Sequence, residues 1–301
     1  MQTILITGAN GFIASYLIKI AANEFKVIAT GKGLNKKIFS SENIVYEQLD
    51  FTSEKDIEAV FQKYKPDIVV HAGAMSKPDD CEINKPLAFQ TNVKSTEYLL
   101  NAAGTFKSFF IFLSTDFIFD GEKGMYQEED ESNPVNYYGE TKLLAESEVK
   151  NYAYDWSIIR TVLVYGNPGS GRDNILTMVA GALKKNKEVK IFDDQVRTPT
   201  YVEDLARGIK TIIDKRINGI FHLSGKDVLT PYEMAVAVAR FLQMNENLII
   251  KVTEKDFQQP ARRPLKTGFD ISKAEATLNY TTISFAEGLF QTFSKEILPG
   301  E

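Results

Sequence analysis

Thr3-Ile-Leu-Ile-Thr-Gly-Ala-Asn-Gly-Phe-Ile-Ala14 carries a strand, a glycine turn and the start of a helix within one short stretch. The apolar run Ile4-Leu-Ile6 reads as a buried strand, and the turn follows it at once. Gly8 allows the tight turn, and Gly11 lets backbone approach a pyrophosphate at the helix N-terminus, where amides and the helix dipole favour an anion. Ala14 fills the third small position, which close packing of helix on strand requires. Asn10, Phe12 and Ile13 share the turn and are grouped with the glycines as dinucleotide contacts. A glycine turn without a ligand is the plain alternative; the Thr-Gly start directly after the strand weighs against it.

Working outward, short apolar runs alternate with amphipathic stretches. Residues 3–6, 27–30, 44–47, 68–71, 109–113 and 157–160 read as buried strands, separated by helical patterns such as 54–64 and 87–103. That alternation predicts an α/β fold with a Rossmann-type, doubly wound parallel sheet. After Thr161 the pattern loosens. A glycine-rich loop, Gly166-Asn-Pro-Gly-Ser-Gly-Arg172, precedes a helix near 174–185, a strand near 189–192 and a helix near 202–214. A strand near 220–223 returns to the sheet, and a helix over 231–242 and a strand over 248–252 follow. The expected division is a dinucleotide-binding region over 1–161 and a smaller substrate-binding cap over 162–301, interleaved with the last sheet elements.

Composition narrows the class. The chain has 301 residues and a net charge of −5 with both signs interspersed, which argues against a nucleic-acid partner. The single cysteine, Cys81, permits no internal disulfide, and no Cys/His cluster has metal-ligand spacing. Met1 leads straight into the first strand, without the basic and apolar regions of a signal peptide, and no apolar run approaches a membrane span. A cytoplasmic protein is the expectation.

The chemistry concentrates at three places. The second strand ends Ala29-Thr-Gly-Lys-Gly33, without the acid that usually meets a ribose 2′-hydroxyl. Lys32, with Lys36 and Lys37 close behind, could instead meet a 2′-phosphate, although a solvated lysine loop is the ordinary reading. Asp50 closes the third strand and could accept from an adenine amino group or cap a helix, and Phe51 after it is grouped with the cofactor contacts. Ser114-Thr115-Asp116 ends a strand, at the edge where open parallel sheets bind ligands. Tyr138 and Lys142 are one helical turn apart, so a phenol and an ammonium point the same way. The ammonium is expected to lower the phenol's pKa and make it a proton donor. Tyr137 is rotated about 100° away and reads as packing or cleft wall. His71 and His222 lie in apolar strands and read as core, and Cys81 as inert.

The glycine fingerprint, Ser114-Thr-Asp116 and Tyr138-x-x-x-Lys142 together resemble the extended short-chain dehydrogenase/reductase superfamily over nearly the whole chain. Within it, Ser114-Thr-Asp-Phe-Ile-Phe-Asp-Gly121, Asn136-Tyr-Tyr-Gly-Glu-Thr-Lys-Leu143, Asp194-Gln-Val-Arg-Thr-Pro-Thr200 and Arg263-Pro264 resemble dTDP-4-dehydrorhamnose reductases. The resemblance implies reduction of a 4-keto nucleotide sugar, with NADP(H) favoured and NAD(H) as the alternative, in a protein that could form a homodimer. It implies a catalytic trio of Thr115, Tyr138 and Lys142, with Lys142 also holding the cofactor ribose. Ala72, Gly73 and Ala74 would line the cofactor, supported by Asn92, and Arg160 and Thr161 would begin the loop beside the nicotinamide. Asn174, Gln195, Arg197 and Arg263 would face the substrate, the arginines meeting its diphosphate.

The chain departs from that pattern in two places. Leu163 stands where the reductases have tryptophan, and Met75 where they have histidine, which bears on which sugar nucleotide is used. The same stretches, with Gly219-Ile-Phe-His-Leu-Ser-Gly225 and Thr230-Pro-Tyr-Glu-Met-Ala235, also resemble the regulatory β subunit of methionine adenosyltransferase, which binds NADP and serves as a partner protein. Phe117 after Asp116 argues against a 4,6-dehydratase, which needs an acid there. A C4 epimerase working by hydride transfer alone is compatible with the pattern.

Overall fold

Strands buried on both faces force helices onto both sides of the sheet. In the computed structural model, which describes residues 1–35, 39, 41–169, 173–256 and 259–297, Ile4, Leu5, Ile6, Val27, Ile28, Ile68, Val69, Val70 and Phe109 to Phe112 have no exposed surface. Fully buried strands of this kind occur in parallel sheets covered on both faces.

The chain runs β1 (Thr3–Thr7), α1 (Phe12–Ala21), β2 (Lys26–Gly31), β3 (Ile44–Gln48), α2 (Glu54–Tyr64) and β4 (Ile68–His71). Next come α3 (Pro78–Ile83), α4 (Lys85–Phe89), a π-helical turn at Gln90–Lys94, α5 (Ser95–Phe106), β5 (Phe109–Thr115), α6 (Tyr137–Lys150) and β6 (Trp156–Thr161). Then follow β7 (Val164–Tyr165), α7 (Ile175–Lys184), β8 (Val189–Phe192), β9 (Thr200–Tyr201), α8 (Val202–Lys215) and β10 (Gly219–His222). The last elements are α9 (Pro231–Phe241), β11 (Ile249–Val252), α10 (Ser272–Leu278) and α11 (Phe285–Ile297).

Among the described residues the main sheet has seven strands in the order β10-β6-β5-β4-β1-β2-β3, and all its pairings are parallel. The chain lays β2 and β3 on one side of β1, then crosses to place β4 on the other. That reversal opens a crevice beyond the ends of β1 and β4, the place where doubly wound sheets bind ligands. Side chains of α1, α8 and α10 fill one face, and those of α2, α5 and α6 the other. A third cluster joins α7, α9 and α11 to the parallel pair β8 and β11.

The expected strands are present, and α2 spans the residues expected of it. The single helix expected over 87–103 is instead α4, a π-turn and α5. The turn shifts the helical phase and buries Asn92, 1 % exposed, which regular periodicity would not single out.

One buried ion pair sets how α6 lies on the sheet. Arg160 of β6 makes a two-pronged bond to Glu146 of α6, Nε to Oε1 at 3.0 Å and one terminal nitrogen to Oε2 at 2.8 Å. Arg160 is 2 % exposed and Glu146 is fully buried. The guanidinium also donates to the Glu128 carbonyl at 3.1 Å and reaches His222 Nε2 at 3.4 Å. His222 donates from Nδ1 to the Tyr126 carbonyl at 3.0 Å, so its other ring nitrogen accepts. Removing one partner leaves a bare charge out of water. Glu146→Ala is expected to cost about 3–5 kcal/mol, and Glu146→Leu combined with Arg160→Met much less, as read by urea denaturation.

Candidate active site

The crevice is built from backbone in close approach. Gly8 has φ +73°, and a Cβ on it would stand 3.0 Å from the Gly73 Cα, so the loops after β1 and β4 touch where neither carries a side chain. The Gly11 amide donates to the Gly8 carbonyl at 2.7 Å, and Gly11 caps α1 with no side chain over its first turn. Thr7 ties the two loops. Its hydroxyl accepts from the amides of Ala72 and Gly73, each at 3.1 Å, and therefore gives its own proton to His71 Nδ1 at 2.8 Å. Gly73 leaves room for the Phe51 ring, which a Cβ would meet at 2.5 Å, and Phe51 stands edge-on to His71. Beyond Ala74, Asn92 clasps Met75 through both its amide and its carbonyl and donates to Thr141 of α6 at 3.0 Å. Asn92 thus braces the loop after β4 against α6. Asn10 donates to the Tyr46 hydroxyl at 3.1 Å, Phe12 meets Tyr16 edge-on, and Ile13 packs against the core.

Lys32 and Asp50 form an ion pair at 2.6 Å, with the lysine side chain 78 % exposed. That pairing holds the Asp50 carboxyl below its ordinary pKa, helped by Thr52. The cap of α2 is Ser53, whose hydroxyl accepts from the Asp56 amide, so Asp50 shapes the turn at Thr52 instead. Lys36 and Lys37 lie outside the described residues.

Thr115 ends β5, and its hydroxyl donates to Asp116 at 3.0 Å. The Tyr138 phenol lies beside Thr115 and stands edge-on to Phe117. Gly139 makes this contact possible, because a Cβ there would fall 2.1 Å from the Phe117 carbonyl oxygen. The phenol is not lowered as the sequence suggested. Burial raises its pKa, the neighbouring Thr115 hydroxyl lowers it, and Asp116 and Cys81 raise it further. Lys142 instead gives its ammonium to the Leu113 carbonyl at 2.6 Å and sits 3.8 Å from the Phe112 ring centre. Burial pulls Lys142 down to about 7, against the opposing pull of Glu146.

Several residues expected at the ligand are held by protein groups. Arg160 belongs to the buried pair with Glu146. Thr161 donates to Thr200 at 3.3 Å. Asn174 caps α7 and donates to the Gly166 carbonyl at 2.7 Å. Arg197, 3 % exposed, donates to the carbonyls of Val196, Leu265 and Pro264 and to Gln195, 3.9 Å from Asp116. Arg263 makes a two-pronged bond to Asp79 of α3, at 2.5 and 2.8 Å. Gln195 and Arg263 line a cleft of about 260 Å³ with Phe192, Glu254 and Arg262. Sequence reading missed Asp79, at the start of a helix announced by Pro78, and Asn136, whose place before Tyr137 is a cap signal. Cys81, fully buried, gives its thiol to the Met75 carbonyl, and burial beside Asp80 and Glu82 pushes it up to about 11. Among the described residues no cluster of His, Cys, Asp or Glu could hold a metal ion, and no helix is long and apolar enough to cross a membrane.

A family model described as the RmlD substrate-binding domain matches residues 1–297. The chain belongs to that family. The crystal structure of a hypothetical dTDP-4-dehydrorhamnose reductase from Sulfolobus tokodaii is 30 % identical with a TM-score of 0.81, over 95 % of this chain and 98 % of that one. A dTDP-4-dehydrorhamnose reductase from Bacillus anthracis, solved in complex with NADP, is 26 % identical with a TM-score of 0.83, over 98 % and 100 %. Methionine adenosyltransferase 2 subunit beta from Danio rerio is 29 % identical over 281 residues, 91 % of this chain and 84 % of the relative. The seven-stranded parallel sheet is thus the Rossmann-type fold of this family.

The buried ammonium makes stability depend on pH with a defined sign. In the folded protein Lys142 titrates near 7, against an ordinary 10.5. Below the folded value both states are protonated and the burial cost is full. Between the two values the folded protein holds fewer protons than the unfolded chain, so stability rises with pH. Lys142→Met lacks this term. Its unfolding free energy minus that of the parent is expected to fall from pH 6 to pH 9 in paired denaturant titrations.

Proposed function

We propose that this chain reduces the keto group of a 4-keto nucleotide sugar with NADP(H), Tyr138 supplying the proton. The observation that carries the reading is the placing of the Tyr138 phenol beside Thr115 at the C-terminal end of β5, the same edge of the sheet as the glycine turns after β1 and β4. This edge suits a dinucleotide because Gly8 and Gly73 let the two loops close on each other without side chains between them, and because Gly11 opens α1 toward a pyrophosphate. A bound reduced nicotinamide would supply hydride to the keto carbon. Thr115 would orient the keto oxygen, and Tyr138 would hand its phenolic proton to that oxygen as negative charge develops. Lys142 would leave the Leu113 carbonyl for the cofactor ribose, and its positive charge would then favour the phenolate that Tyr138 becomes. Lys32 would meet a 2′-phosphate, which favours NADP(H) over NAD(H), and the Bacillus anthracis relative bound to NADP supports this.

The substrate diphosphate is assigned to Arg263 and Gln195 at the cleft, with Arg197 shaping the loop that presents them. A second reading, an NADP-binding regulatory subunit without turnover, is favoured by the likeness to methionine adenosyltransferase 2 subunit beta. It would use the same crevice.

Tyr138→Phe is expected to lower turnover of a 4-keto nucleotide sugar by ~10²–10⁴-fold while NADPH affinity changes little. Full turnover by this variant would remove Tyr138 from the chemistry. NADPH binding by the parent, with no oxidation across a panel of 4-keto nucleotide sugars, would establish the second reading. Lys32→Ala should weaken NADPH binding roughly ten- to hundredfold, as loss of one charged partner does, and leave NADH binding unchanged in parallel titrations.

A further inference from the structure

Residues 261–267 form a strap that is anchored to widely separated parts of the molecule. The Ala261 amide and the Arg263 guanidinium both end on Asp79 of α3. Arg197 holds the carbonyls of Pro264 and Leu265 at 2.7 and 2.9 Å. The Lys266 amide donates to the Gly121 carbonyl at 2.9 Å, and the Thr267 hydroxyl donates to Asp116. The Arg262 carbonyl accepts from Asn136 Nδ2 at 2.8 Å.

Asn136 differs from the other anchors because its remaining carboxamide atom has a second task. Oδ1 caps α6 by accepting from the Gly139 amide at 2.9 Å, and Gly139 is the neighbour of Tyr138. The residue is 4 % exposed. One rigid, planar group therefore bonds the strap through one edge and the first turn of α6 through the other. A shift of the Arg262 carbonyl would rotate that plane, and the rotation would move the acceptor under Gly139. Arg262 and Arg263 of the strap also line the cleft.

We infer that Asn136 is a positioning residue that couples occupancy of the Arg262–Arg263 cleft by an anionic ligand, such as the diphosphate of a nucleotide sugar, to the placement of Tyr138. This rests on the reading of Tyr138 as proton donor. The plain alternative is that Asn136 only caps the helix. Asn136→Asp separates the two, because aspartate caps as well as asparagine and adds a charge that the helix N-terminus favours. It has no N–H for the Arg262 carbonyl.

The experiment uses the full chain with Asn136→Asp, and Asn136→Ala as the variant that loses both bonds. Hydrogen exchange is followed over residues 260–265 and 137–142, together with tryptic cleavage of the Arg262–Arg263 bond, NADPH affinity and steady-state kinetics. For Asn136→Asp the coupling predicts NADPH affinity close to the parent and α6 still capped, while the carboxylate now facing the Arg262 carbonyl lowers the melting temperature. Exchange should rise about tenfold in both segments, the worth of one good hydrogen bond, with faster cleavage at Arg262. KM for the nucleotide sugar should rise and kcat should fall, so that saturating substrate does not restore turnover. Exchange that rises only over 260–265, with kcat intact, would make Asn136 an anchor of the strap alone and overturn the coupling. Parental behaviour throughout would make it a cap alone and overturn it equally. If the parent turns over no nucleotide sugar, the functional reading fails, and the two exchange segments still decide the coupling.

Discussion

A guanidinium and a carboxylate kept out of water leave a protein little freedom, and Arg160 and Glu146 are such a pair. Each must face the other in a two-pronged arrangement or pay a desolvation cost of several kcal/mol. Glu146 lies one turn beyond Lys142 and two beyond Tyr138, so the register of the pair fixes which way both residues leave α6. The same guanidinium reaches the Glu128 carbonyl and His222, which draws β10 and the loop after β5 into one framework. Asn92 and Gly139 fix the helix from two further directions, one by bonding Thr141 and the other by pressing on the Phe117 carbonyl. Tyr138 and Thr115 meet because the helix between these restraints has no room to slide.

The sheet was legible because its strands are continuous apolar runs, which only a doubly covered parallel sheet can bury. The glycine turn was legible for a related reason: Gly8 and Gly73 do through absence what side chains cannot, and absence is visible in a sequence. The break between α4 and α5 was not legible. A π-turn alters helical phase without any proline or glycine to announce it, and only the burial of Asn92 reveals it. Nor did α10 and α11 stand out, since their apolar positions serve contacts made by distant parts of the chain.

For the site, residue types were easier to read than their partners. Thr115 and Tyr138 lie side by side, a hydroxyl at a strand end and a phenol at a helix start. Arginines near a cleft invite a reading as phosphate ligands, but a guanidinium serves backbone carbonyls just as well. Arg197 is held by Val196, Leu265 and Pro264, and sequence has no periodicity that could announce such a cage. Lys142 shows the same limit in electrostatic form. Proximity to Tyr138 along the helix suggested mutual influence, yet burial dominates both groups and the ammonium takes the Leu113 carbonyl. Asn174 reads in the sequence as a substrate group; in the structure it caps α7, the commonest duty of a polar residue at a helix start.

The order of the strands also bears on how the chain is made. The edge of β6 is covered by β10, which begins at Gly219, and the carbonyl of Arg262 reaches Asn136 only when the strap exists. A ribosome that has released the first six strands presents a sheet with an uncovered, apolar side and a helix whose cap is half engaged. Open strand edges invite pairing with other chains, and partly folded chains of this size expose apolar surface and unpaired edges. The long interval between β6 and β10 is therefore a period of exposure during synthesis, in which a nascent chain would benefit from shelter by a chaperone.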